Sequence, residues 1–100
     1  MASQQEFRVK GIRGASNRFK REKRKLSQDA HAQLMRVLDE LLTGTLTPSR
    51  QLEKLSGHDS LYSVRLNRKQ RLVFWLESDN TIRMVAVGNH EQAYNHFKPS

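Results

Sequence analysis

One hundred residues with no cysteine, carrying 18 Lys and Arg against 10 Asp and Glu for a formal charge of +8, describe one domain, residues 1–100, stabilised by packing alone. The missing cysteines exclude disulfides, thiolate metal sites and thiol nucleophiles together and suit a reducing compartment. No stretch reaches the ~18 consecutive apolar residues of a membrane span, and MASQQEFRVK has no apolar run of signal-peptide type, so a soluble, cytoplasmic protein with no membrane partner is expected. The charge excess favours a polyanionic partner, either nucleic acid or an acidic protein that masks it.

In chain order, EFRVKGI (6–12) alternates apolar and polar residues through Phe7, Val9 and Ile12, which predicts a first strand closed by Gly14. From Ala15 to Leu26 the apolar residues Ala15, Phe19 and Leu26 recur at helical spacing among Arg18, Lys20, Arg21, Lys23, Arg24 and Lys25, a thinly apolar and very basic helix. Ser27 suits the N-cap of a second helix, whose stripe of Ala30, Leu34, Val37, Leu38, Leu41 and Leu42 ends at Gly44. Residues 45–60, with Pro48 and Gly57 among short polar residues, read as a connection. Three strands follow at 61–67, 71–77 and 81–87, joined by loops short enough for hairpins. The expected fold class is therefore α+β: one N-terminal strand, two helices, then an antiparallel three-stranded meander.

Three-residue loops at 67–69 and 78–80 set a register. Leu66 then faces Gln70, Arg65 faces Arg71, Trp75 faces Arg83, and Arg71 lies opposite Val87 at the exit of the last strand. Like charges opposed across two strands are unfavourable in isolation, which suggests an anion between Arg65 and Arg71. The segment VGNHEQAY (87–94) leaves the sheet at that end, so a cation pair, the imidazole of His90 and the phenol of Tyr94 converge. Trp75 facing Arg83 is placed for a cation–π pair, although the core is the commoner place for a tryptophan.

Other chemistries find little support. His90 and His96 are six apart, which matches neither one face of a helix nor a finger spacing, so no metal and no cofactor are expected. There is no glycine-rich phosphate loop and no G-x-S-x-G motif.

KLSG (54–57), YSVRLNRKQRLVF (62–74) and VGNHEQAY (87–94), in that order after two helices, resemble the RelE/ParE superfamily of bacterial toxins from type II toxin–antitoxin systems. The specific likeness covers roughly residues 53–94, and 1–52 match in element order. It implies a RelE-like microbial ribonuclease fold and, for the RelE branch, cleavage of messenger RNA in the ribosomal A site under the control of a cognate acidic antitoxin. In the RelE pattern a basic-x-basic pair lies on the YSVRL strand; here Ser63 stands at the first basic position and Arg65 at the second. Arg71 matches the arginine opening the next strand, Tyr94 matches the terminal tyrosine, and His90 occupies the later arginine position, as in the YafQ and YoeB branches. Glu53 is similar to the carboxylate of YoeB-like members.

The resemblance implies metal-independent attack of a ribose 2′-hydroxyl on the adjacent phosphate, with Arg65, Arg71, His90, Tyr94 and Glu53 as the catalytic set. Lys20, Arg21, Lys23, Arg24 and Lys25, with Ser63 and Asn67, are the expected contacts to RNA or the ribosome. The rival reading is non-enzymatic: a ParE-like inhibitor of DNA gyrase or a basic nucleic-acid-binding module, which the stretch RFKREKRK would serve without chemistry.

Overall fold

The computed structural model describes residues 7–55 and 59–89. Both helices start at serine caps. The Ser16 hydroxyl accepts from Phe19 N at 3.0 Å at the start of α1 (Asn17–Arg24), and the Ser27 hydroxyl accepts from Ala30 N at 3.2 Å at the start of α2 (Gln28–Thr43). Gly44 ends α2 in the left-handed region, with φ 73°, and its N–H reaches Glu40 O. The predicted stripe of α2 is the buried one, with Ala30, Leu34, Val37, Leu38 and Leu41 all inside.

The sheet has five strands, β1 (Gly11–Ala15), β2 (Glu53–Lys54), β3 (Leu61–Arg65), β4 (Gln70–Leu76) and β5 (Thr81–Asn89), in the order β1-β5-β4-β3-β2. The α+β class and the antiparallel β3-β4-β5 meander match the expectation, and two details differ. The first strand begins at Gly11 instead of residue 6, because it pairs parallel with β5 from Thr81 onward. Phe7 and Val9, whose alternation suggested a strand, pack directly on the core: Val9 N donates to Leu41 O at 2.9 Å, and the Phe7 ring lies 5.4 Å from Tyr62 and 6.1 Å from Phe74. The stretch 45–60 also holds a 3-10 turn at Pro48–Arg50 and the edge strand β2, both too short to leave a period in sequence.

One sheet face packs on the helices through Val64, Leu66, Leu72, Phe74, Ile82 and Val87, against Phe19, Leu34, Val37 and Leu41. The opposite face carries a smaller cluster of Leu55, Leu61, Val73 and Ala86. This two-sided burial explains why RLVFWLE is apolar almost throughout. Trp75 is the exception: it is 40% exposed, because it lies beyond the small cluster, opposite Arg83.

The β3–β4 register follows its predicted loop throughout, and the β4–β5 register follows its loop from Leu76 back to Phe74. Arg65 lies opposite Arg71, and Trp75 opposite Arg83. Between Phe74↔Met84 and Val73↔Ala86 the ladder skips Val85, so Arg71 lies opposite Gly88 and not Val87. This bulge sits where β1 has ended and α1 covers the edge of β5. There the Ser16 hydroxyl donates to Val85 O at 2.7 Å, and Val87 N donates to Glu22 Oε1 at 3.0 Å. Arg18 holds the other Glu22 oxygen at 2.9 Å. Side chains of α1 thus occupy backbone groups that a neighbouring strand would otherwise pair.

At the far end of β5, Arg13 pairs with Asp79, and the Thr81 hydroxyl donates to Asp79 Oδ1 at 2.6 Å. The Thr81 hydroxyl and the Arg13 guanidinium together hold the Asp79 carboxyl below its usual range. A lowered folded-state pKa stabilises the fold above the ordinary carboxylate value of about 3.9, and that contribution is lost as pH falls below it.

Two outcomes are expected. Glu22→Ala should destabilise the fold by about 1–3 kcal/mol, the typical penalty for leaving a part-buried donor unpaired, and Glu22→Gln by less, because its amide oxygen can still accept from Val87; urea unfolding measures both. Asp79→Asn should make stability fall less steeply between about pH 5 and 2 than in the wild type, read from unfolding midpoints across that range.

Candidate functional site

The central group is Arg71, at the start of β4 on the sheet face opposite the helices. Only 6% of it is exposed. A guanidinium cannot lose its proton at such a site, so it must be hydrogen-bonded. Its Nε donates to Ser63 Oγ at 2.9 Å and its Nη2 to the Gln51 carbonyl at 2.6 Å, while Nη1 stands 3.5 Å from Gln51 Oε1. Glu53 Oε1 lies 3.9 Å from Nη2. Antiparallel pairing of β2 with β3 sets Glu53 opposite Ser63, which brings the carboxylate to this face.

Arg65 is in register with Arg71, but the two guanidinia bond different groups. Arg65 Nε donates to Asn67 O at 3.1 Å in the β3–β4 turn, whereas Arg71 bonds toward β2. The like-charge pair is therefore relieved by a carbonyl on one side and by a hydroxyl, a carbonyl and a carboxylate on the other.

Asn67, expected to contact RNA, holds its own turn: its Oδ1 accepts from Lys69 N at 3.0 Å and Gln70 N at 2.9 Å, and its amide donates to Asp29 at 3.0 Å. Ser63 is fully buried. Of the predicted residues, the fold brings Glu53, Ser63, Arg65 and Arg71 together on one face. His90 and Tyr94 lie outside the described residues. The last described residue, Asn89, pairs with Gln70, one position before Arg71.

The basic residues of α1 form a separate group. Lys20, Arg21, Arg24 and Lys25 are exposed, and Lys23 is half-buried. Glu22, the one carboxylate of the helix, is engaged by Arg18 and Val87 N, so none of these five cations has an ion pair among the described residues. Because Glu22 bonds Val87, one residue before the Gly88 that pairs with Arg71, the basic helix lies at the Arg71 end of β5.

Two participants escaped sequence reasoning. Gln51 contributes mainly a backbone carbonyl, which no residue type signals. Arg50, 13% exposed at its side chain, bonds Glu40 Oε1 at 3.0 Å, Gln33 Oε1 at 3.0 Å and Leu66 O at 2.9 Å, fastening the 3-10 turn to α2 and to the end of β3. It borders a cavity of ≈ 370 Å³ that Arg65, Asn67, Arg68, Asp29 and Gln33 also line. No cluster of three or more potential metal ligands occurs among the described residues. None of their helices is long and apolar enough to cross a membrane.

Five strands in this order with two helices on one face, among the described residues, give the chain a RelE-like toxin fold. The particular likenesses are to the toxin structures. It superimposes on a structure of the E. coli DinJ-YafQ toxin-antitoxin complex with a TM-score of 0.67 at 19% identity, covering 83% of this chain and 97% of that one. The YoeB dimer from Staphylococcus aureus gives 0.64 at 23% identity, over 83% and 98% of the two chains. The RelB-RelE antitoxin-toxin complex from Methanococcus jannaschii gives 0.64 at 15%, over 83% and 96%. At such identities the likeness is one of fold. No protein-family model and no curated protein matches the sequence.

Proposed function

We propose that this chain is the toxin of a toxin–antitoxin pair, a metal-independent endoribonuclease that cuts messenger RNA on the ribosome and thereby inhibits translation in the cytoplasm. The observation that carries the reading is the placement, on the sheet face away from the helices, of Arg65 and Arg71 in register, with Glu53 beside Arg71. His90 follows in sequence directly after Asn89, the residue that pairs next to Arg71.

In this reaction a ribose 2′-oxygen attacks the adjacent phosphorus, the bond from phosphorus to the 5′-oxygen breaks, and a 2′,3′-cyclic phosphate and a 5′-hydroxyl result. A base takes the 2′ proton, and an acid returns one to the leaving oxygen. Arg71 stabilises the charge that develops on the phosphate oxygens, and Arg65 assists. His90 and Tyr94 divide the acid and base roles, with Glu53 as a further carboxylate near the reacting phosphate. The Arg71 contact to Glu53 is long, at 3.9 Å, and exchanging it for a phosphate oxygen replaces one anion by another without stripping the buried cation.

The exposed cations of α1 supply the non-specific hold on RNA, and an acidic antitoxin neutralises the +8 charge when the toxin is silent. The deciding experiment is a translation reaction containing the purified protein, with primer extension along the message. Cuts at fixed codon positions support the nuclease; intact translation with inhibition of gyrase supercoiling establishes the ParE-like reading in its place.

Arg71→Ala should stay folded and lower cleavage by a factor on the order of 10² or more, the usual consequence of removing an electrostatic transition-state contact. A folded variant cutting at the wild-type rate removes Arg71 from the mechanism. Changing Lys20, Arg21, Lys23, Arg24 and Lys25 to glutamine should weaken ribosome association and flatten its dependence on salt while leaving the single-turnover rate at saturation unchanged. Unaltered affinity at every salt concentration returns these residues to plain solvated surface.

A further inference from the structure

Ser63 stands where the RelE pattern places a basic residue, and it has no exposed surface. A side chain so enclosed cannot meet a phosphate. What it does meet is Arg71 Nε, at 2.9 Å. The second fixed partner comes from Gln51, which follows the 3-10 turn with φ 50° and ψ 58°, a left-handed conformation that residues other than glycine seldom adopt. That conformation accompanies the aim of the Gln51 carbonyl at Arg71 Nη2, at 2.6 Å. The residue immediately before it, Arg50, is tied to Glu40, Gln33, Arg65 O and Leu66 O. The turn is thus fastened to α2 and to the end of β3 at one residue and presents a carbonyl to Arg71 at the next.

We propose that Ser63 and the left-handed Gln51 turn are positioning elements for Arg71, fixing the plane and rotation of its guanidinium before RNA arrives; the inference rests on Arg71 acting in the proposed cleavage. Two acceptors on different sides, one on Nε and one on Nη2, remove the rotational freedom that a single bond would leave. A lysine or arginine at position 63 would instead set a second cation beside Arg71 at a buried site. Serine therefore gives up one phosphate contact and gains orientation of the remaining one, and a group held in its working geometry needs no reorganisation during the reaction.

The test combines kinetics with a direct view of the guanidinium in the full-length protein. Ser63→Ala is expected to lower the saturating single-turnover rate about 10- to 100-fold, with the half-saturating concentration of message-loaded ribosomes changed by less than about twofold, because misorientation weakens the transition state and not RNA capture. Ser63→Thr, which keeps the hydroxyl, should recover most of that rate. In nitrogen-15 spectra of the wild type, the Arg71 Nε–H should exchange with water far more slowly than that of exposed Arg68, and Ser63→Ala should abolish the difference.

Equal exchange of the two arginines in the wild type overturns the proposal without reference to any variant. Wild-type cleavage by Ser63→Ala beside an inactive Arg71→Ala overturns positioning while the nuclease reading stands. Wild-type cleavage by Arg71→Ala overturns both.

Discussion

Burying one guanidinium determines much of how this small sheet is finished. Arg71 lies in a fold whose total stability is of the order of 5–15 kcal/mol, and an uncompensated buried ion would cost several kcal/mol of that. Hydrogen bonds to a charged group contribute about 1.5–3 kcal/mol each, so two or three good ones are required and a single one would not suffice. Ser63 and the Gln51 carbonyl supply them, and Glu53 adds a nearby counter-charge. The two-residue strand β2 and the turn before it, which look like incidental connection, are the elements that deliver two of these three partners.

A second constraint acts from the other edge. The single extra residue at Val85 lets Met84 and Val87 both pack on the helix-facing core while Val85 sides with the smaller cluster, something an uninterrupted period of two could not do. Beyond Met84 the pairing of β1 with β5 has ended, and α1 fills the edge of β5 with Ser16 and Glu22. A helix with so few apolar residues has little burial to hold it, only Phe19 being fully inside. Its capping serine and its one carboxylate therefore dock it on β5. With that carboxylate spent inward, Lys20, Arg21, Arg24 and Lys25 face solvent.

Much of this was legible in sequence wherever a rule acts over several residues. Ser27 and Gly44 bound α2 as expected, because caps require specific residue types. Counting loop residues placed Arg65 opposite Arg71, since hairpin register follows from loop length. The bulge shifted Arg71 from Val87 to Gly88, and nothing local in TIRMVAV marks it; it arises from the demand of two cores on one strand. The start of β1 was misplaced because Phe7 and Val9 alternate for packing and not for pairing. The destinations of the guanidinia were not legible at all. Alternation says which face an arginine occupies, but which acceptor it finds depends on a backbone carbonyl in a left-handed turn 20 residues away.

The opposition of Arg65 and Arg71 first suggested a ligand to neutralise it, yet each guanidinium is already bonded within the protein. That changes the kind of site implied. A pair held apart by mutual repulsion would order only when an anion arrived, and the binding energy of the anion would be consumed in ordering it. A cation held beforehand by Ser63 and Gln51 can instead direct its interaction at charge developing on the substrate. In the proposed function the long-range attraction that brings a polyanion to the surface falls to Lys20, Arg21, Arg24 and Lys25, which are exposed and lack ion pairs among the described residues, and whose field is screened by salt and needs no exact geometry. The proposed function thus assigns capture and chemistry to different elements that Glu22 brings together: the carboxylate that docks the basic helix on β5 bonds the residue next to Gly88, the strand partner of Arg71.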